Sequence, residues 1–391
     1  MSSQIKPVIL SVIIPVRNTP NLLQKCLEKI NSSHYHNYEV IVVDDASTDE
    51  TPEIAAKMGA KVLRLSENVG PAQARNQGVE IAAGTYIFFI DADVLVHSDT
   101  LDKVVQTFEQ NPEVDAVFGS YDTKPSALNI MSQYKNLFHH FVHQESREEA
   151  TTFWSGCGAI KKAVFQKLGG FDTYYQRPCI EDIELGVRLH KAGYKILLKK
   201  DIQVRHLKQW TFWGMLKADI QDRAIPWTEL IMRENELPND LNLTLRQRLS
   251  ALFSLGIIVA LIIESLTLGM LFFLPVVLFM LFLFLDYWSI ERRIPTMVRL
   301  GSILGGLLGI VATVYYQKIW LIIALLLGCC IVLLNYRFYS FFALQKYLLF
   351  AIMIIPLHIF YYIYSSISFG LGIVLYFWKV KIRKVFKPSS I

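Results

Sequence analysis

The chain has 391 residues, 52% of them hydrophobic and 19% charged, with a formal net charge of +5. That is too apolar for one soluble protein of this length, and too mildly basic to point to a nucleic-acid partner. Five scattered cysteines (Cys26, Cys157, Cys179, Cys329 and Cys330) include no Cys-x-x-Cys pair and no zinc spacing, so neither a disulfide framework nor a zinc site is indicated.

The N-terminus runs into a strand-like segment without a signal-peptide pattern, so the first half of the chain is expected to stay in the cytosol. Val8 to Ile14 is a short β-branched run closed by Pro15, read as a buried strand. Thr19 and Pro20 read as the N-cap and first-turn proline of a helix whose apolar face is Leu22, Leu23, Cys26, Leu27 and Ile30. Glu39 to Val43 is a second strand ending in Asp44-Asp45. Thr51-Pro52 opens a second helix in the same way, and Lys61 to Leu65 is a third strand. A helix over 71–83 stops at Gly84, and Tyr86 to Ile90 is a fourth strand, ending in Asp91-Ala92-Asp93. This alternation predicts a parallel sheet covered by helices. In such sheets ligands bind beyond the carboxyl ends of the strands, where both acidic groups stand.

Two carboxylates separated by one residue, as in Asp91-Ala92-Asp93, can reach one hard cation that also holds substrate phosphates. The run Asp44-Asp45-Ala46-Ser47-Thr48-Asp49 reads either as an Asp-rich turn capping the helix at Thr51 or as carboxylates receiving donors from a base or ribose. The segment 180–190 reads as a helix with Glu184 and Arg188 paired on its outer side. Asp182 falls in its first turn. There it is either a structural acid favoured by the helix dipole or a proton acceptor facing a cleft.

Six motifs together resemble glycosyltransferase family 2. They are Ser11 to Asn18, Asp44 to Asp49, Asn68 to Asn76, Asp91-Ala92-Asp93, Gly169-Gly170-Phe171-Asp172 and Glu181 to Gly186. They stand in the family's order over about residues 8–210. The resemblance implies an α/β GT-A fold (a Rossmann-like nucleotide-diphospho-sugar transferase) and inverting transfer from a nucleoside-diphosphate sugar, a UDP-sugar being favoured. By the same resemblance Pro15 and Arg17 line the nucleotide pocket, and Asp44 and Asp45 contact the base. Asp91 holds ribose and the metal–diphosphate unit, Asp93 is the direct ligand of Mg²⁺ or Mn²⁺, and His206 completes that site. Asp182, beside Glu181, is the general base, and the loop Trp154 to Ala159, with Gly156, lies near sugar and acceptor. Processive relatives carry Gln-x-x-Arg-Trp. Here Gln203-Val204-Arg205-His206 and Gln209-Trp210 do not fit it, which favours transfer of a single sugar.

The second half is dominated by long apolar runs, and a spanning helix needs about 20 apolar residues. The expected division is a catalytic domain at 1–208, amphipathic interfacial helices at 209–248 rich in tryptophan and arginine, an α-helical transmembrane domain at 249–378 and a basic cytoplasmic tail at 379–391. Residues 249–286 suit a hairpin turning at Glu264 to Gly269. The loop 286–299 is basic and therefore cytoplasmic, and 300–316 is short or re-entrant, giving about four crossings. These features predict an integral protein of a bacterial inner membrane, its catalytic domain cytoplasmic. They also predict a lipid or lipid-linked acceptor in cell-envelope polysaccharide or glycolipid synthesis. The alternatives are a polyprenyl-phosphate sugar synthase and a non-catalytic membrane transport protein.

Overall fold

A computed structural model describes residues 9–235, 241–268 and 319–386. They form two compact units, one reaching Leu243 and resuming at Leu371, the other comprising Thr244–Gly370.

In the first unit, strands β1 (Leu10–Val16), β2 (Tyr38–Asp44), β3 (Lys61–Arg64) and β4 (Tyr86–Ile90) alternate with helices α1 (Pro20–Asn31), α2 (Thr51–Lys57) and α3 (Pro71–Glu80). The strands are mutually parallel in the order β3-β2-β1-β4. Val12, Ile13, Ile14, Ile41, Val42, Val43, Phe88 and Phe89 are all fully buried, because helices cover both faces. On one face Val12, Ile14, Val42 and Phe88 pack with Leu23, Cys26, Leu27 and Ile30 of α1. On the other, Ile13, Ile41, Val43 and Phe89 pack with Ala72, Ala74 and Val79 of α3.

The four strands expected to be parallel are so, and beyond β4 the sheet becomes mixed. β5 (Val94–Val96), α4 (Thr100–Gln110), β6 (Val114–Tyr121), α5 (Ile130–Glu145), β7 (Glu149–Ala150), β8 (Cys157–Lys161), α6 (Lys162–Lys167), α7 (Glu181–Lys191) and β9 (Lys195–His206) follow. The strand order is β3-β2-β1-β4-β8-β6-β9-β5, with β7 against β9. β8 is antiparallel to β4, Cys157 pairing with Ile90, because the chain enters β8 from the carboxyl end of β4. That entry lays residues 154–156 beside Asp91. β9 is antiparallel to β5, and Val94 pairs with His206.

The helix starts differ from expectation. Thr19 occupies the N-cap of α1 without a side-chain capping bond, and Thr51 lies inside α2, after Glu50. Their groups join the two loops instead: the Thr19 N–H donates to Thr51 Oγ1 at 3.1 Å, and the Asn18 N–H to Ser47 Oγ at 2.9 Å. Glu184 and Arg188 do pair, at 2.8 Å, yet Glu184 is buried and not on an outer side. Arg188 also donates to the carbonyls of Leu168 and Gly170, so the pair clamps the preceding turn to α7.

After β9 come α8 (Phe212–Lys217), a π-helix (Ala218–Ala224) and α9 (Ile225–Glu234). The second unit contains α10 (Leu245–Leu268), α11 (Ile319–Leu334), α12 (Tyr336–Gln345) and most of α13 (Leu348–Phe386). Leu245–Ser265 and Leu348–Val380 are long and apolar enough to cross a membrane, and α11 and α12, bent by 66°, pass the same test together. At that bend Asn335 donates to Ser250 Oγ at 2.9 Å and accepts from the Tyr362 hydroxyl at 3.1 Å, satisfying polar groups in an apolar setting. Residues 264–268 continue α10 as helix, so the expected hairpin turn does not begin at Glu264. The basic loop 286–299 and the segment 300–316 lie outside the described residues.

Candidate active site

The carboxyl ends of β2 and β4 supply acidic groups and that of β1 supplies Arg17, and two long-range strand pairings bring their partners. Asp45 is 6% exposed and accepts from the Val69 N–H at 2.7 Å and the Gly70 N–H at 3.0 Å. With the Asn68 amide oriented as both neighbours require, its nitrogen donates to Asp45 Oδ2 at 2.6 Å and its oxygen accepts from Arg17 Nη1 at 2.5 Å. Arg17 is exposed, and Pro15 and Val16 pair with Val43 and Asp44. These residues therefore meet at one end of the sheet. Asp44 differs from its expected part: it is wholly enclosed, accepts from the Ser47 N–H at 3.2 Å and lies 3.5 Å from Arg64. It presents no surface to a base and shapes the turn at residues 44–47.

The residue that ties the remaining acids together is Arg75, for which the sequence suggests no role. It stands on α3 among Ala72, Ala74 and Gly78, whose small side chains let that helix lie close to the sheet. Its guanidinium is 4% exposed; Nη1 donates to Glu181 Oε1 at 2.8 Å and Nη2 to Asp91 Oδ1 at 2.7 Å. Burial alone disfavours the charged guanidinium. Asp91, Glu181 and Asp182 outweigh it and raise the pKa of Arg75. One buried cation thus joins Asp91, just after β4, to Glu181, at the start of α7, across 90 residues of sequence.

Asp182, in the first turn of α7, is half-buried. Its Oδ2 accepts from the N–H of Ser155 at 3.0 Å and the hydroxyl of Ser155 at 3.2 Å. Burial, then the neighbouring Glu181 charge, pushes its pKa up to about 6. Glu181 is itself fixed by Arg75 and by the Cys179 N–H at 2.8 Å. Beside it the Trp154 ring packs on Tyr121 and His139, at centroid distances of 4.9 and 4.7 Å. Gly156 is required there, because a Cβ would come within 2.7 Å of the Trp154 ring.

Asp93 and His206 face each other with Oδ2 and Nε2 at 3.3 Å. Asn136 Nδ2 donates to the Ser132 carbonyl at 2.9 Å, which turns its oxygen toward His206 Nδ1 at 2.7 Å. Nδ1 therefore carries the ring proton, and the Nε2 lone pair points at the carboxylate. Two acceptors facing each other call for a cation or a proton between them. Burial raises the pKa of Asp93, but a proton placed between it and His206 Nε2, with the Lys208 charge beyond, outweighs burial and holds it low. Among the described residues no three His, Cys, Asp or Glu side chains form a ready metal cage. Asp93 and His206 nonetheless suit a hard divalent ion whose remaining ligands are water and substrate phosphate oxygens.

Comparison with known proteins agrees with this architecture. Residues 11–169 match the model described as Glycosyl transferase family 2, and residues 135–215 match one described as N-terminal domain of galactosyltransferase. Glycosyltransferase GlyG of Streptococcus pneumoniae serotype 4 is 35% identical over 118 residues, which are 29% of this chain and 39% of that protein. Poly-beta-1,6-N-acetyl-D-glucosamine synthase of Staphylococcus aureus is 26% identical over 221 residues, 54% of this chain and 53% of the synthase. The chain spans about half, or less, of the length of these curated relatives. Among solved structures, mannosyltransferase PcManGT from Pyrobaculum calidifontis, in complex with GDP-Man and Mn²⁺, superposes with a TM-score of 0.51 at 19% identity. The match covers 90% of this chain and 87% of that one, and establishes a shared fold.

Proposed function

This chain belongs to glycosyltransferase family 2, and on that premise we propose that it moves one sugar, with inversion, from a nucleoside-diphosphate sugar to a hydroxyl of a lipid or lipid-linked acceptor. The observation that carries the reading is the Arg75 bridge. It sets the carboxylate beside the candidate metal site, Asp91, and the acid pair Glu181-Asp182 on one buried guanidinium. A donor-binding end and a proton-accepting end are thereby fixed relative to each other before any substrate arrives.

Asp182 is the proposed base. A carboxyl group with a pKa of about 6 is ionised at neutral pH yet more basic than an ordinary aspartate, so it can take the acceptor hydroxyl proton as the oxygen attacks. The two Ser155 donors keep its oxygen aimed across the site. Asp93 and His206, with Asp91 alongside, would hold Mg²⁺ or Mn²⁺, which when bound offsets the charge of the departing diphosphate. Arg17, Pro15 and the Asp45–Asn68 pair line the proposed nucleotide end, and a UDP-sugar remains the favoured donor. Trp154, held by Gly156, offers a flat apolar wall to the transferred sugar. PcManGT is titled with GDP-Man and Mn²⁺, which supports a nucleotide-sugar donor and a divalent ion for the shared fold.

The S. aureus relative is named as a polymer synthase, but Gln203 and Arg205 of this chain lie within β9, and Arg205 Nε bonds Asp122 at 3.1 Å. Those side chains are engaged in the sheet, which supports single-sugar transfer. The two candidate spans and the bent pair support a membrane-held enzyme, proposed to work at the cytoplasmic face of a bacterial inner membrane.

The test is nucleoside-diphosphate release by the detergent-purified chain. A panel of sugar nucleotides is offered with Mn²⁺ or Mg²⁺ and a membrane lipid extract, and Asp93→Ala is the control. Lipid-dependent release with one donor, abolished in the variant, is the expected result. Release from no donor would overturn the transferase reading.

A further inference from the structure

The candidate metal site and the candidate sugar wall share one aromatic neighbour. Tyr121 closes β6 opposite Val204 of β9, so its side chain lies on the same face of the sheet as that of His206, two residues further along β9. The two rings stack, with centroids 4.5 Å apart and planes 7° from parallel. The Trp154 ring meets the same phenol edge-on at 4.9 Å, and the His139 ring packs on it at 4.4 Å. His139 and Trp154 are in turn 4.7 Å apart. Four rings from four segments thus form one cluster, and Tyr121 is the ring that touches the other three.

The backbone that carries this phenol is pinned on both sides. Asn136, His139, His140 and His143 share one face of α5, at the spacing of successive helical turns. His140 Nδ1 donates to the Tyr121 carbonyl at 2.6 Å and His143 Nδ1 to the Gly119 carbonyl at 2.9 Å, since a carbonyl only accepts. The Asp122 N–H then donates to the Val204 carbonyl at 2.8 Å. His206 itself is held by a single hydrogen bond, from Nδ1 to Asn136. That bond sets which nitrogen carries the proton, but it leaves the imidazole free to swing about the bond axis. A flat neighbour parallel to the ring removes the swing and keeps Nε2 aimed at Asp93.

We infer that Tyr121 is a positioning residue for the divalent ion. Its ring, braced by His139 and Trp154, holds the His206 imidazole in the orientation a metal ligand needs, and its hydroxyl takes no part. The inference rests on the transferase reading above, with its Asp93–His206 ion site, and adds to that site a residue that does not itself touch the ion.

The full chain in detergent is titrated with Mn²⁺ in the presence of UDP, the free ion being counted by electron paramagnetic resonance. Tyr121→Leu and Tyr121→Met, which fill much of the space without a flat face, are each expected to weaken Mn²⁺ binding about 10–100-fold, and Tyr121→Phe, which keeps the ring, by less than about twofold. On a His206→Ala background Tyr121→Leu should cost nothing more, because the ring then has no ligand to orient. Unchanged Mn²⁺ affinity in both ring-less variants would overturn the inference. An equal loss in Tyr121→Phe would give the part to the hydroxyl, and losses that add on the His206→Ala background would make the effect one of general packing; either result overturns it as well. All of these leave the ion site itself standing. Wild-type chain that holds no Mn²⁺ with either UDP or GDP would instead sink the Asp93–His206 ion site, and this inference with it.

Discussion

Two acidic groups stand at the carboxyl ends of β2 and β4, the parallel strands on either side of β1, and the fold treats them differently. Asp44 and Asp45, after β2, are met by backbone N–H groups of Ser47, Val69 and Gly70, and are 0% and 6% exposed. Asp91 and Asp93, around the end of β4, are met by the side chains of Arg75 and His206 and keep 39% and 24% of their own side chains exposed. Backbone donors fix a buried carboxylate in the turn that supplies them. A side-chain cation or imidazole holds the charge while leaving an oxygen edge for a ligand. The type of partner, more than the strand end, separates an acid that shapes a loop from one available for chemistry.

The comparison breaks most visibly at Asp182, the third acid, which is held by Ser155 yet stays half-buried. Asp182→Asn keeps the shape and one acceptor oxygen but removes the base. Transfer is expected to fall by about 10²–10⁴-fold, with the donor dissociation constant unchanged. An unaltered turnover number would remove Asp182 from the mechanism and favour an acceptor phosphate as nucleophile.

Arg75→Met comes next. It leaves Glu181, whose side chain is 5% exposed, as an uncompensated buried charge. A loss of about 3–5 kcal/mol in unfolding free energy is expected, and donor and acceptor affinities should weaken together because both ends hang on this residue. Urea unfolding of the first unit measures it. A stability change below about 1 kcal/mol would mean that the acids do not depend on their bridge.

Much of the first unit is legible in the sequence because its signals are local. The runs Ile13-Ile14, Val42-Val43 and Phe88-Phe89 declare buried strands, and Pro20 and Pro71 stand at the starts of α1 and α3. The candidate acids are legible too, as motifs, and His206 is named by the family resemblance, but the pairings that bring partners to them are not. His206 meets Asp93 only through the antiparallel pairing of β5 with β9, and nothing within either segment encodes that register. Arg75 looks like an ordinary helix residue. Its signals are its place in the Asn68 to Asn76 motif and its standing as a lone cation among Ala72, Ala74 and Gly78, on a helix face small enough to lie against a sheet. Asn136 has no signal at all, since its part is to orient a ring 70 residues away.

Asp45→Asn tests the backbone-held half of the comparison. One carboxylate oxygen becomes an NH₂ facing a backbone N–H, so a single buried donor loses its acceptor, at a cost of about 1–3 kcal/mol. Because Asp45 also engages Asn68 and through it Arg17, the Michaelis constant for the donor should rise while the turnover number holds. A fall in turnover with an unchanged Michaelis constant would place Asp45 among the reacting groups instead.

The gentlest probe is pH, and it separates Asp182 from Asp44 and Asp45. Its pKa is raised, first by burial and then by Glu181, so the protonated form, inactive as a base, accumulates as pH falls through about 6. Transfer should therefore drop about tenfold per pH unit below that point and level off above it. An ordinary aspartate would put the same limb near 4. Asp182→Asn should abolish the limb and leave a flat residual rate, whereas Asp45→Asn should keep it in place. A limb that persists unchanged in Asp182→Asn would assign the titration to another group and leave Asp182 a structural first-turn acid.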